Sequence, residues 1–123
     1  MGALPSDDDD ILLLHNPRCS KSRAAKELLE GEGVRFRERL YLEEPLSPDE
    51  LADVAGCLGR PLAEWVRRKE AAFGEAGLGQ GSSEAELASA VAAKPVLMER
   101  PIVIRGKRAA IGRPPEAILD LLR

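Results

Sequence analysis

Aromatic side chains are scarce in this sequence, which holds only Phe36, Tyr41, Trp65 and Phe73. So few rings cannot supply the stacking platform on which single-stranded nucleic acids are held. A basic excess is missing too: 21 acidic residues outnumber 18 basic ones, the net charge is -3, and no bulk field draws in a polyanion. Histidine occurs once and cysteine twice, a count that excludes a Cys/His zinc site and leaves only carboxylates for any metal. No metal site is expected. Long apolar runs are absent as well; none approaches the ~18 consecutive residues of a membrane helix. Met1–Asp10 carries acids where a secretory leader carries bases. The expectation is a cytoplasmic protein with neither a membrane nor a nucleic-acid partner. Its two cysteines are then free thiols in a reducing compartment rather than a structural disulfide.

What is present suffices for one globular core: 123 residues, 44% apolar and 32% charged. Four consecutive aspartates close the segment up to Asp10, and their mutual repulsion predicts a disordered acidic tail over residues 1–10. The aspartates lack the spacing of a calcium loop. From 11 to 123 a single domain is expected. Ile11–Leu14 is a short apolar run of the kind a strand takes when both faces are covered, and it stops at His15-Asn16-Pro17. Ala24, Ala25, Leu28 and Leu29 then recur at helical spacing, with Gly31 and Gly33 as the stop. Val34, Phe36, Glu38, Leu40 and Leu42 alternate with Arg35, Arg37 and Arg39, predicting a second strand with the first group on one face. The right-handed crossover rule makes the two strands parallel. Ser47-Pro48-Asp49-Glu50 and Ser83 to Glu86 are capping boxes, and the stretch at about 47–93 reads as a layer of short helices. Ile102–Ile104, a turn at Arg105-Gly106-Lys107 and Ala109–Ile111 form a hairpin. Pro114 and Pro115 start a last helix with Ile118, Leu119 and Leu122 inward. The order β-α-β, helical insertion, β-β-α predicts an α/β protein with the mixed sheet of the thioredoxin-like fold.

Cys19 stands where a buried strand ends and a helix begins. Unpaired backbone N–H groups and the positive end of the helix dipole both favour a thiolate there, and Arg18, Lys21 and Arg23 add positive charge. A dithiol redox site needs C-x-x-C, but position 22 holds serine, so a redox cycle must recruit its second sulfur elsewhere. A phosphatase-type loop needs arginine where Ala25 stands. Two roles stay open for His15: stabilising the thiolate as an imidazolium, or hydrogen-bonding the turn. Cys57 lies within a helical pattern and reads as a small buried hydrophobe, a weak candidate for a resolving thiol.

Four segments now stand in sequence order: His15-Asn16-Pro17-Arg18-Cys19-Ser20-Lys21-Ser22-Arg23, Leu40-Tyr41-Leu42-Glu43, Glu99-Arg100-Pro101-Ile102-Val103 and Ile111-Gly112-Arg113-Pro114-Pro115-Glu116. Together they resemble the successive signatures of the glutaredoxin-coupled arsenate reductase family, over about Ile11 to Leu122. The resemblance implies a thioredoxin-like core with a helical insertion. It implies a reaction in which the Cys19 thiolate attacks arsenate and the adduct is reduced to arsenite, with glutathione as co-substrate, glutaredoxin as partner and no bound cofactor. It implies three oxyanion-binding arginines, Arg67, Arg100 and Arg113, whose guanidinium forks suit a tetrahedral anion. It implies a cis bond before Pro101 facing the thiol, and supporting roles for His15, Asn16 and Ser22 as partners of thiolate or oxyanion. Two other functions suit the same fold. One is that of Spx-like regulators, which bind RNA polymerase and sense oxidants through C-x-x-C; the other is that of a glutathione-dependent thiol transferase, which needs Cys19 but not three arginines.

Overall fold

The computed structural model describes residues 3–122; Met1, Gly2 and Arg123, the outer ends of the expected tail and domain, lie outside the described residues. The chain divides into two compact units, one of residues 1–44 and 100–123 and the other of residues 45–99.

In the first unit, β1 (Ile11–His15) is buried along its whole length, as an apolar run without alternation requires. The chain turns at Asn16–Arg18 and enters α1 (Ser20–Gly31), which buries Ser22, Ala25 and Leu29. Gly33, at φ 71, adopts the left-handed conformation that ends the helix, and its N–H donates to Glu30 O at 3.1 Å. β2 (Arg37–Leu40) pairs parallel with β1. β3 (Ile102–Arg105) runs antiparallel to β1, and β4 (Arg108–Ile111) folds back on β3 through Gly106 at φ 58. The four-stranded mixed sheet has the order β2-β1-β3-β4. α5 (Ala117–Leu122) closes the unit. Ile11, Leu13, Ala25, Leu29, Val103, Ile118 and Leu121 form one buried cluster on a face of this sheet. Removing each large side chain from water contributes about 1.5–3 kcal/mol.

Two expectations are corrected here. The second strand is shorter than the alternation from Val34 to Leu42 predicts, because Glu43 N and Glu44 N both donate to Leu40 O, at 2.9 and 2.8 Å, and curl the chain away. Leu42 is consequently exposed, whereas Tyr41 and Arg39, of the opposite parity, are buried. The last helix begins at Ala117 rather than at the prolines, and turn bonds from Ala117 N to Pro114 O and from Ile118 N to Pro115 O precede it. Leu121 therefore joins Ile118 in the core, and Leu122 is only partly buried. The acidic segment has neither helix nor strand over residues 3–9, yet it has partners. Nε and Nη2 of Arg37 each lie 2.9 Å from an Asp10 carboxylate oxygen, Arg105 Nε donates to Asp8 O at 2.8 Å, and Gly106 N donates to Asp10 O at 3.3 Å. Cations contributed by strands offset the repulsion that four adjacent acids alone suggest.

The second unit is helical. α2 (Pro48–Leu58) opens on the expected capping box: Glu50 N donates to Ser47 Oγ at 3.1 Å while Ser47 N donates to Glu50 Oε1 at 3.0 Å. Gly59, at φ 67, ends it. A 3-10 turn at Leu62–Glu64 and α3 (Ala71–Glu75) follow, then α4 (Glu84–Ala93) with its own box at Ser83 and Glu86, and a 3-10 turn at Pro95–Leu97. The Glu84 carboxylate accepts from the N–H groups of Leu62 and Ala63, at 2.6 and 3.0 Å, and fastens α4 to the first 3-10 turn. Among the described residues no helix is long and apolar enough to cross a membrane.

Candidate active site

The strand registers bring the chemically active residues to one end of the sheet. His15 pairs with Leu40, Leu14 with Ile102, and Ile102 with Ile111. Just beyond the strands at this end stand Tyr41 and Asn16, one residue past β2 and β1, and Arg100 and Arg113, two residues out from Ile102 of β3 and Ile111 of β4. Directly inside them are Leu40, His15, Pro101 and Gly112. Two bonds tie the outer ends of β3 and β4: Gly112 N donates to Pro101 O at 2.8 Å and Arg113 Nε to Arg100 O at 2.6 Å. The Arg100–Pro101 bond is cis, and so is Arg113–Pro114.

Cys19 sits beside Asn16 on a tight turn. Its N–H donates to Asn16 O at 3.0 Å, Arg18 N donates to Asn16 Oδ1 at 3.1 Å, and Arg23 Nη1 donates to Pro17 O at 2.9 Å. Cys19 is the N-cap residue of α1 and a free, half-buried thiol. Burial opposes ionisation, but the backbone N–H groups of Ser22 and Lys21 and the Arg100 guanidinium outweigh it, so the thiol is held below its ordinary pKa. Arg100 Nε is buried and has no hydrogen-bond partner, a donor that costs about 1–3 kcal/mol to leave unpaired. Arg113 is exposed.

Beneath the thiol lies a polar pair. His15 Nδ1 and Ser22 Oγ are 2.7 Å apart and buried, and Asn16 N donates to the same hydroxyl at 3.0 Å. His15 Nε2 faces Glu38 Oε1 at 3.7 Å, with Lys26 Nζ at 3.1 Å from that same oxygen. Burial pushes the imidazole below its ordinary pKa; Glu38 opposes this, while Lys26 and Arg23 add to it. The ring is neutral near pH 7, and it shares with Ser22 Oγ a hydrogen bond whose donor is set by the tautomer. Of the roles open to His15, this geometry is that of a hydrogen-bonded part of the turn. The Ser22 hydroxyl is engaged with His15 and Asn16, so Ser22 reaches the sulfur through its backbone N–H.

The sequence profile of the ArsC family matches residues 14–121. The chain belongs to the ArsC family. Arsenate reductase of Haemophilus influenzae is 40% identical over 114 residues, covering 91% of this chain and 98% of that one. The uncharacterized protein YfgD of Escherichia coli is 44% identical over 114 residues, covering 91% and 96%. The solved structure of arsenate reductase from Vibrio cholerae superposes with a TM-score of 0.87 at 38% identity, covering 91% of this chain and 97% of that one. The mixed sheet is accordingly the thioredoxin-like sheet of ArsC structures.

Two further residues of this ArsC-family chain, Arg67 and Cys57, belong to the helical unit. Arg67 N donates to Leu97 O at 2.6 Å, and its Nη1 lies 2.7 Å from Glu70 Oε1. Cys57, on α2, is a half-buried free thiol whose pKa is raised by burial and by the Asp53 carboxylate. Such a thiol is protonated near neutrality and a poor nucleophile. Among the described residues, no three His, Cys, Asp or Glu side chains converge as a metal cluster.

The candidate site also contains Tyr41, to which composition and spacing do not point. Tyr41 is 1% exposed, its hydroxyl meets the Asn16 side chain, and Arg100, Cys19 and Arg113 all act on it electrostatically. Burial drives its pKa up to about 12, so it is a neutral phenol at every physiological pH. The available signal was the tyrosine in Leu40-Tyr41-Leu42-Glu43, legible as a strand position but not as a site residue before the turn after Leu40 was known.

Proposed function

We propose that this chain is an arsenate reductase in which Cys19 is the nucleophile, glutathione the co-substrate and glutaredoxin the partner that completes the cycle. The observation that carries the reading is the meeting of a thiol held below its ordinary pKa with Arg100, whose buried Nε lacks a partner. A tetrahedral oxyanion lying on the sulfur would supply that partner and bring its own negative charge to the guanidinium. The arsenate reductases of similar sequence and structure support the choice of anion.

In this mechanism the Cys19 sulfur forms a bond to arsenic(V), and one oxygen leaves as water after protonation. Arg100 and Arg113 neutralise the oxygens during the displacement. A glutathione thiolate then attacks the arsenic of the adduct and displaces a second oxygen as water. A glutaredoxin thiolate attacks the glutathione sulfur, and the S–As pair stays on arsenic, which becomes As(III). Water releases arsenite from Cys19, and a second glutathione cleaves the glutaredoxin mixed disulfide. Over the cycle two glutathione thiols lose two electrons and become a disulfide, while arsenic gains those electrons and leaves as arsenite. A single active thiol with a borrowed sulfur accords with serine at position 22.

The test is arsenate-dependent NADPH oxidation in the presence of glutathione, glutaredoxin and glutathione reductase. Turnover should vanish in Cys19→Ser and fall by about 10²-fold or more in Arg100→Ala, the usual consequence of losing an oxyanion donor. Reduction of a mixed disulfide that is indifferent to Arg100→Ala and Arg113→Ala would replace this reading with a thiol transferase. No turnover of either kind, with co-purification of polymerase subunits, would replace it with a regulator.

A further inference from the structure

Asn16 is the hub of the turn that carries Cys19, and its hydrogen-bonding groups can be counted. Its main-chain N–H donates to Ser22 Oγ at 3.0 Å, its main-chain oxygen accepts from Cys19 N at 3.0 Å, and its Oδ1 accepts from Arg18 N at 3.1 Å. The side-chain amide nitrogen is what remains. With Oδ1 committed to Arg18, Nδ2 points the other way and needs an acceptor. Strand pairing supplies one: His15 and Leu40 are partners in the parallel ladder, so Asn16 and Tyr41 leave the sheet side by side, and the buried Tyr41 hydroxyl meets the Asn16 side chain. A phenylalanine would fill the same space and offer nothing.

We propose that Tyr41 is a further positioning residue of the site, which acts through Asn16: its hydroxyl fixes the orientation of the Asn16 amide and so holds the turn that presents Cys19 to the α1 N–H groups and to Arg100. Without that acceptor the amide is free to rotate, the Arg18 N–H loses its partner, and the sulfur drifts from the groups that stabilise its anion. The inference rests on the reading of Cys19 as the reacting thiol. The Tyr41 ring itself is packing and is retained in Tyr41→Phe, so that variant isolates the hydroxyl.

The test is a cycle of four proteins: parent, Tyr41→Phe, Asn16→Ala and the double variant. The readout is the rate of Cys19 alkylation by iodoacetamide across pH, followed by the mass of the Cys19 peptide so that Cys57 does not contribute. Tyr41→Phe should lower the rate near pH 7 by about fivefold, the effect of one ordinary hydrogen bond, and move the midpoint of the pH profile upward. In the Asn16→Ala background the same change should have no further effect, a non-additivity that loosened packing would not produce. An unchanged rate in Tyr41→Phe, or a fivefold loss that persists without Asn16, overturns the proposal. Alkylation needs no arsenate, so failure of this test leaves the arsenate reading standing. A parent that reduces no arsenate leaves this test intact.

Discussion

Arg113 Nε donates to the main-chain oxygen of Arg100 at 2.6 Å, so one arginine of the site is held by the backbone of the other. The Arg113 guanidinium thereby has a defined direction although the residue is exposed. A lysine has charge but neither the fork nor the Nε–H. Arg113→Lys should therefore raise the KM for arsenate about tenfold, the loss of one charge-assisted pair of hydrogen bonds, with an unchanged circular dichroism spectrum. An unaltered KM would show that charge alone suffices at position 113.

Cys19 ionises below the ordinary thiol value because the backbone N–H groups of Ser22 and Lys21 and the Arg100 charge outweigh its burial. Only the thiolate is alkylated, so the rate climbs as pH rises through the depressed value and then levels off. Arg100→Gln removes one of the groups that favour the anion, and the midpoint must shift upward. A downward shift or none would mean that the helix start alone determines the thiolate.

Gly112 is buried where β4 meets the cis-proline segment. A Cβ there would lie 2.9 Å from Pro101 Cγ and 2.9 Å from Ile118 Cδ1. Both neighbours are packed and one is a ring, so Gly112→Ala should destabilise the protein by about 1–3 kcal/mol in urea unfolding. Arg100 and Arg113 flank the displaced segment, so oxyanion binding should weaken as well.

Two groups make stability depend on pH in the same direction. The Arg37 guanidinium beside Asp10 holds that carboxyl below its usual value, more than offsetting its partial burial. Its contribution is present above the unfolded value and is lost as pH falls through the depressed one. The urea midpoint of Asp10→Asn should therefore be lower than that of the parent at neutral pH, with the gap closing in acid. His15, depressed chiefly by burial, acts at higher pH: the folded state resists its protonation, so stability declines as pH falls below the ordinary histidine value. His15→Gln should flatten that part of the curve.

Much of the architecture was legible because its signals are local. The run Ile11–Leu14, the glycine stop after α1, both capping boxes and the Gly106 turn each depend on residues within a few positions of one another, and each appears where expected. The errors arose where distant segments decide. The alternation around Arg37–Leu40 gave no sign that the chain curls at Leu40 or that Arg39 finds Glu44, whose main-chain oxygen accepts from Arg39 Nε at 2.9 Å. The aspartates looked solitary because Arg37 and Arg105 lie far along the chain.

The order of helices and strands, and a thiol at the start of a helix, follow from the amino-acid sequence alone, because helix caps, turns and apolar periodicity act over three or four residues. Which residues surround that thiol was decided by the tertiary structure. Asn16, Tyr41, Arg100 and Arg113 lie just beyond the ends of four different strands, and only the register of those strands brings them to one end of the sheet, since a slip of one residue would turn every strand side chain to the opposite face.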